Sequence, residues 1–185
     1  SILIKPKATI RAIVEFNPNY RLLILSAIYG FCAFLSMAQN LKLGDKLSLI
    51  SIIIPAIVLA PLFGYLLFSL GSWFVFQTGK WIKGTGSFKN VRAALAWSNV
   101  PSFVNVLMWV FLILIFKKEL FGNFDKRPIL SKAMVFVVFF IIVVQMVASV
   151  WALVIYLNAL AEVQMFSILK VVWIIYMHYI ISMIT

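Results

Sequence analysis

The sequence predicts an all-α membrane protein: a polytopic membrane helix bundle with five transmembrane helices and a short N-terminal interfacial amphipathic helix. Of its 185 residues, 64% are hydrophobic and only 11% are charged, and the apolar residues lie in long continuous runs. Soluble domains are nearer a quarter charged, so this chain could not cover a soluble surface with polar groups. Strands of a membrane barrel would alternate apolar and polar residues, which these runs do not. We therefore expect residues 1–185 to form a single membrane domain.

Residues 1–20 form a lead-in with the pattern of an interfacial helix. In KPKATIRAIVEFNP the apolar and charged residues separate onto two helical faces: Ile10, Ile13 and Val14 on one, Lys7, Arg11 and Glu15 on the other. Such a helix lies in the membrane interface with its apolar face toward the acyl chains. The alternative is a frayed, solvated lead-in.

Five apolar runs are long enough to cross the hydrocarbon core, which takes about 20 helical residues. They lie at about residues 22–39, 47–78, 91–116, 129–158 and 168–184. The second and fourth runs exceed the minimum, which predicts tilt, a kink or helix ends above the membrane. Pro55, Pro61 and Pro101 are the expected sites of kinks or breaks.

Each of the first four runs carries small or polar residues at helical spacing. In lipid, helices associate through such residues, so these seams predict one compact bundle. The seams are Ser26, Gly30 and Ala33; Ala56, Ala60, Gly64 and Gly71; Ala94, Ser98, Ser102 and Asn105; and Gln145, Ser149, Ala152 and Tyr156. Bulky residues such as Phe136, Phe139 and Phe140 are then expected to face lipid.

The net charge of +11 is spread over short clusters between the apolar runs, which is not the footprint of a nucleic-acid partner. Basic residues that flank spans set orientation and contact anionic headgroups. With the N-terminus inside, the inner side carries Lys5, Lys7, Arg11, Arg21, Lys80, Lys83, Lys89, Arg92 and Lys170. Four of these precede the first span, so we predict a cytoplasmic N-terminus and an outer C-terminus.

Polar side chains inside the spans are costly and often functional. They are Ser98, Asn99, Ser102, Asn105, Gln145, Ser149 and His178. Two interpretations remain open: interhelical hydrogen bonds, which we favour for Asn105 and Gln145, or the wall of a polar cavity for a solute. Asn99 is also placed to cap carbonyls freed by Pro101. His178, the only histidine, is expected to be a hydrogen-bonded packing residue.

The sequence contains no catalytic constellation. It has no second histidine, no thiol–histidine pair and no zinc-ligand motif, so we expect no enzyme, no metal and no cofactor. Ser87 follows glycines but has no evident base to activate it. Glu162 lies just beyond the fourth span, where we expect a charged helix cap. The single cysteine, Cys32, excludes an intrachain disulfide.

The stretch GKWIKGTGSFK, residues 79–89, lies between the second and third spans and does not match a nucleotide-binding P-loop. We interpret it as a site for anionic lipid or a partner, formed by Lys80, Trp81, Lys83, Gly84, Gly86, Ser87 and Lys89. The tryptophan anchors at headgroup level, the lysines face anionic lipid and the glycines permit a tight turn. Ser87 caps the next helix, whose N-terminal amides could hold a lipid phosphate. The alternative is an ordinary solvated turn.

The run LLFSLGSWFVFQTGKWIKGTGSFKNVRAALAWSNVP resembles the core signature of the Yip-domain family, the Rab- and Ypt-interacting membrane proteins and their prokaryotic relatives. KPKATIRAI is similar to the lead-in of prokaryotic members, and LAEVQMFSILKVV to their link into the last span. The resemblance implies five spans, a cytoplasmic N-terminus and no known catalysis. Only about 20 residues precede the first span, so we expect a prokaryotic plasma-membrane relative and do not transfer Rab-type binding.

Two functions fit these features. The first is a non-enzymatic scaffold that engages anionic lipid, another membrane protein or a second copy of itself. The alternative is a small-solute or ion transporter or channel, with a polar path through Ser98, Asn105, Gln145 and Ser149. Paired amides in a dry bundle would favour the scaffold, and polar groups around a hydrated cavity would favour the path.

Overall fold

The computed structural model describes residues 1–123 and 132–171, with the side chains of residues 132 and 133 left out. Regular structure in these ranges is entirely helical, and four helical stretches are long and apolar enough to cross a membrane. The predicted all-α membrane fold is confirmed. A further helix begins at Ile168, at the start of the fifth predicted span, but the rest of that span and His178 lie outside the described residues.

Six α-helices of the described chain precede the helix that begins at Ile168. They are α1 (Pro6–Phe16), α2 (Leu22–Asn40), α3 (Leu49–Trp81), α4 (Phe88–Ser98), α5 (Phe103–Phe116) and α6 (Lys132–Gln164). Helices α4 and α5 together form the third crossing. Short 3-10 segments occupy Leu43–Asp45, Val100–Ser102 and Lys117–Phe121.

Helices α2 and α3 make the closest contact in the bundle. A Cβ atom added at Gly30 would overlap the carbonyl oxygen of Ala60, and one added at Gly64 would overlap that of Ser26. The two backbones therefore touch directly, which is possible only where side chains are absent or very small. The predicted seam is confirmed for this pair of helices.

The seam predicted for the fourth span is wrong at Ser149, whereas Tyr156 of the same seam packs against the buried cluster that includes Val75 and Leu160. The side chains that α6 buries include Ile141, Ala148, Ile155 and Ala159, whereas Ser149 is exposed. The side chains that α6 buries at these positions are apolar, and they are alanines and isoleucines. The outward orientation expected for the bulky residues is confirmed, because Phe136, Phe139 and Phe140 are exposed.

The third crossing is broken at Pro101. Helix α3 contains Pro55 and Pro61 without interruption, but α4 ends at Ser98 and α5 begins only at Phe103. The Asn99 side chain donates from Nδ2 to the Leu95 carbonyl oxygen at 2.8 Å, and the Ser98 hydroxyl donates to the same oxygen at 2.7 Å. Asn99 therefore caps a carbonyl in the last turn of α4. This is not the carbonyl that the proline frees, because Pro101 lacks the amide that would bond to the oxygen of Trp97, four residues before it.

Candidate functional site

Three segments that are far apart in the sequence meet at one end of the bundle. They are α1, the turn between α3 and α4, and the C-terminal end of α6 with the link that follows it. We refer to residues 6–16, 79–92 and 159–167 together as the junction. Each of these segments belongs to a sequence piece on which the family resemblance rests, so the three pieces are parts of one structure.

Gln164 lies at the centre of the junction and is 1% exposed. Its Oε1 atom accepts a hydrogen bond from the Gly86 amide at 3.2 Å, and its backbone oxygen accepts one from the Thr85 amide at 3.4 Å. A Cβ atom added at Gly79 would lie 2.5 Å from Nε2 of Gln164, and one added at Gly84 would overlap Oε1. The glycine-rich turn thus leaves room for one buried glutamine.

The turn after α3 is closed by two backbone hydrogen bonds. The Gly84 amide donates to the Gly79 oxygen at 2.8 Å, and the Lys83 amide donates to the Lys80 oxygen at 3.0 Å. This is a Schellman motif, and its left-handed position is held by Lys83, with φ of 65°, and not by a glycine. Because the amides of Gly84 and Gly86 bond within the protein, a lipid contact here would rest on the lysines and the start of α4.

Ser87 caps the N-terminus of α4, as the sequence predicted. Its hydroxyl accepts a hydrogen bond from the Asn90 amide at 3.3 Å, which makes it the N-cap. Lys80, Trp81, Lys83 and Lys89 are all exposed around this turn, and the Trp81 side chain is 73% exposed. The side chains assigned to lipid contact are therefore accessible.

Helix α1 docks onto the ends of α4 and α6. Ile10 is fully buried in a cluster with Ala93, Ala94 and Ala159. Arg11 forms an ion pair with Glu162, with 2.6 Å between Nη2 and Oε1. The expectation that Glu162 caps a helix is wrong: it lies in the last turn of α6, where the helix dipole disfavours a carboxylate, and a cation from α1 compensates it.

Arg92 is a buried cation that our sequence interpretation treated as a loop charge. It is 7% exposed, and it donates to the Tyr65 hydroxyl at 2.7 Å and to Oδ1 of Asn19 at 2.9 Å. Its guanidinium also lies 4.9 Å from the centre of the Tyr65 ring. The signal was present, because Arg92 falls inside the third apolar run, where a charge needs buried partners. It connects the chain before α2 to α3 and α4.

The junction end of the bundle combines exposed cations with exposed apolar side chains. The exposed cations are Lys5, Lys7, Arg11, Arg21, Lys80, Lys83, Lys89 and Lys170. The exposed apolar side chains include Phe16, Trp81, Met165 and Leu169. This mixture is typical of a surface in the headgroup region, where aromatic residues anchor and lysines contact phosphates.

A cavity of about 860 Å³ lies deeper in the bundle, between α2, α3, the break of the third crossing and α6. Among the polar residues singled out in the sequence, it is lined by Asn99, Ser102, Asn105, Gln145 and Ser149, and Ser36, Gln39 and Asn40 of α2 join them. Ser98 does not contribute, because it is buried and donates to its own helix. The three residues of α2 were not predicted from the sequence, because they lie at the end of an otherwise apolar run.

Of the polar groups that line the cavity, Gln39 bonds to another element, because its Nε2 atom donates to the Leu120 backbone oxygen at 3.1 Å. Among the described residues, neither the Asn105 nor the Gln145 side chain makes the interhelical hydrogen bond that we favoured from the sequence. The Oδ1 atom of Asn105 is buried without a hydrogen-bond partner within residues 1–123 and 132–171. The Ser149 hydroxyl donates to the Gln145 backbone oxygen, 2.8 Å away in its own helix. Both amide side chains therefore border open space.

A family model described as the Yip1 domain matches residues 1–185, which is the whole of this sequence. No curated protein and no solved structure matches the chain.

Proposed function

The chain belongs to the Yip1-domain family, and from this premise we propose that it is a non-enzymatic scaffold of a prokaryotic plasma membrane. Its N-terminus lies in the cytoplasm, and its junction binds anionic lipid headgroups and, through them or directly, another membrane protein. The observation that carries this proposal is the convergence of three distant segments into one exposed basic surface. No cofactor or metal takes part.

Charge and its placement support lipid as the first partner. Each basic residue near an anionic surface contributes on the order of 1 kcal/mol, and the cytoplasmic leaflet is the anionic one. Eight exposed cations lie at the junction end, against the carboxylates of Glu15 and Glu162. An N-terminus in the cytoplasm places this surface on that leaflet, in accord with the positive-inside rule.

Rigidity distinguishes this surface from a mobile basic loop. Lys80 and Lys83 belong to a turn whose carbonyls are hydrogen-bonded, and Lys89 lies in the first turn of a capped helix. Gln164 packs beneath the turn and holds it against α6. A fixed array of cations loses less conformational entropy when it binds a headgroup than a flexible loop would.

Charge neutralisation at the turn tests the proposal. The triple variant Lys80→Gln, Lys83→Gln and Lys89→Gln is expected to retain less anionic lipid than the wild type after purification, measured by mass spectrometry of extracted lipids. High salt should reduce the difference, because it screens the attraction.

The matched control removes three exposed lysines at the opposite end, by Lys42→Gln, Lys46→Gln and Lys118→Gln. This control should retain as much anionic lipid as the wild type. Equal retention by both triple variants and the wild type at low salt would contradict the proposal and leave the turn as a structural feature only.

A path for a small solute is the second candidate, and the cavity favours it. Discontinuous helices that border a cavity near the middle of the membrane are a recurrent feature of transporter binding sites. The path would use Asn105 and Gln145, with Ser149, but not Ser98. Swelling of proteoliposomes in a neutral solute tests it, since the path predicts faster swelling than in protein-free liposomes and slower swelling for Asn105→Leu.

A further inference from the structure

The geometry points to the cavity as a binding site for an uncharged amphipathic molecule with hydroxyl or amide donors in its head, of the class of a neutral glycerolipid. This site is separate from the basic surface of the junction, and the inference goes beyond the scaffold function proposed above. Size is compatible: small-molecule sites commonly enclose about 300–1,000 Å³, and the cavity has about 860 Å³.

The head of the ligand must be uncharged. Among the described residues, none of the side chains that line the cavity is Asp, Glu, Lys, Arg or His. A charged head would leave water without gaining a counter-charge, which is strongly unfavourable in a low-dielectric interior. An ion or a phosphate is therefore excluded as the preferred occupant, in contrast to the junction.

The head must also carry a hydrogen-bond donor. The Oδ1 atom of Asn105 is buried and has no hydrogen-bond partner in the part of the chain that the structure describes, although buried polar atoms are nearly always hydrogen-bonded. An amide oxygen accepts but does not donate, so its missing partner is an N–H or O–H group. A ligand hydroxyl positioned at Asn105 would satisfy this atom, and the Gln145 amide on the facing helix could accept or donate a second hydrogen bond.

The body of the ligand is apolar. Phe63 and Leu67 of α3 form one wall, and Phe103 and Trp109 of α5 belong to another. Met37 and Phe103 line the cavity and are also exposed on the surface of the bundle. Both lie on membrane-crossing helices, so this opening faces the hydrocarbon region and admits a molecule that is already dissolved in the bilayer.

Native mass spectrometry of the full chain in detergent tests the assignment with three probes of equal chain length. They are monododecanoylglycerol, methyl dodecanoate, which lacks a donor, and dodecyl phosphate, which is charged. The wild type should form a one-to-one adduct with monododecanoylglycerol. Methyl dodecanoate should bind about tenfold more weakly, as expected for the loss of one buried hydrogen bond, and dodecyl phosphate should not displace monododecanoylglycerol.

Two variants on different helices locate the site. Asn105→Leu removes the acceptor, and Ala33→Leu fills the cavity from α2; each should weaken binding of monododecanoylglycerol about tenfold. Ser98→Ala is the control, because Ser98 lies on the same crossing but does not line the cavity. Thermal unfolding of each variant shows that it is folded.

The inference is overturned if the wild type forms no adduct, since a water molecule then satisfies Asn105. It is equally overturned if methyl dodecanoate binds with the same affinity as monododecanoylglycerol, or if dodecyl phosphate displaces monododecanoylglycerol. The third contradicting result is that both cavity variants bind monododecanoylglycerol with the affinity of the wild type. These outcomes do not depend on whether the junction lysine variant retains anionic lipid, so the failure of one proposal would leave the other standing.

Discussion

The α2–α3 contact and the cavity beside it both include small residues of α2, but the helices touch at the contact and are separated at the cavity. Gly30 and Gly64 bring two backbones into direct contact and leave no space. Three residues after Gly30, Ala33 borders the cavity, together with amides from other helices. On α2, small residues therefore pack closely where they face small residues of α3. Where a small residue of α2 faces amides around a broken helix, the bundle stays open.

The junction resembles the α2–α3 contact and not the cavity. Gly79 and Gly84 lie against the Gln164 side chain, and Gly86 lies against the Gln164 side chain and the backbone oxygen of Val163. A buried side chain, and not a second backbone, occupies the space that the glycines leave. Close packing at this end fixes the backbone that carries the exposed lysines, whereas the open region offers volume to a ligand.

The largest expected effect is at the α2–α3 contact. Gly64→Leu should destabilise the bundle, because the added atoms meet the rigid backbone of Ser26. Overpacking typically costs about 1–3 kcal/mol, and we expect a loss at or above the upper end of this range. Thermal unfolding in detergent measures this. Gly71→Ala is the control: its new Cβ would lie 3.2 Å from the end of the flexible Leu95 side chain, and it should have little effect. Equal melting temperatures for Gly64→Leu and the wild type would show that the helices do not touch.

A smaller effect is expected at the break of the third crossing. Asn99→Leu removes one of two side-chain donors to the Leu95 oxygen and should destabilise by about 0.5–1.5 kcal/mol. The double variant with Ser98→Ala removes both donors, so its loss should exceed the sum of the single losses. Strictly additive losses in thermal unfolding would mean that the two donors do not share this carbonyl.

The smallest effect is expected at the turn after α3, and it has the opposite sign. Lys83→Gly should stabilise the protein by up to about 1 kcal/mol, because glycine adopts the left-handed backbone without strain. Lys89→Gly removes the same charge inside α4 and should destabilise by about 1 kcal/mol. Both variants should retain less anionic lipid. A destabilised Lys83→Gly variant would show that the lysine side chain, and not only its backbone, holds the turn.

Local features of the structure were predictable because each depends on residues within a few positions of one another. The N-cap at Ser87 follows from a short-range hydrogen bond, and the fold class follows from the apolar runs. The seams that contain Gly30 and Gly64 were also foreseen, because small residues at helical spacing mark a packing face in a membrane helix, but the sequence did not say that these two seams meet.

The pairings between distant residues were decided by the tertiary structure. Gly86 bonds to Gln164 across 78 positions, and Arg11 pairs with Glu162 across 151. No local pattern selects such partners, because a polar side chain on a helix has many acceptable partners and helix packing chooses among them. The same reason explains the wrong seam position at Ser149 and the Asn105 Oδ1 atom that has no partner among the described residues. The sequence alone determined that this chain crosses a membrane as helices and where its small residues lie; only the way those helices pack decided which polar groups meet and which face a cavity.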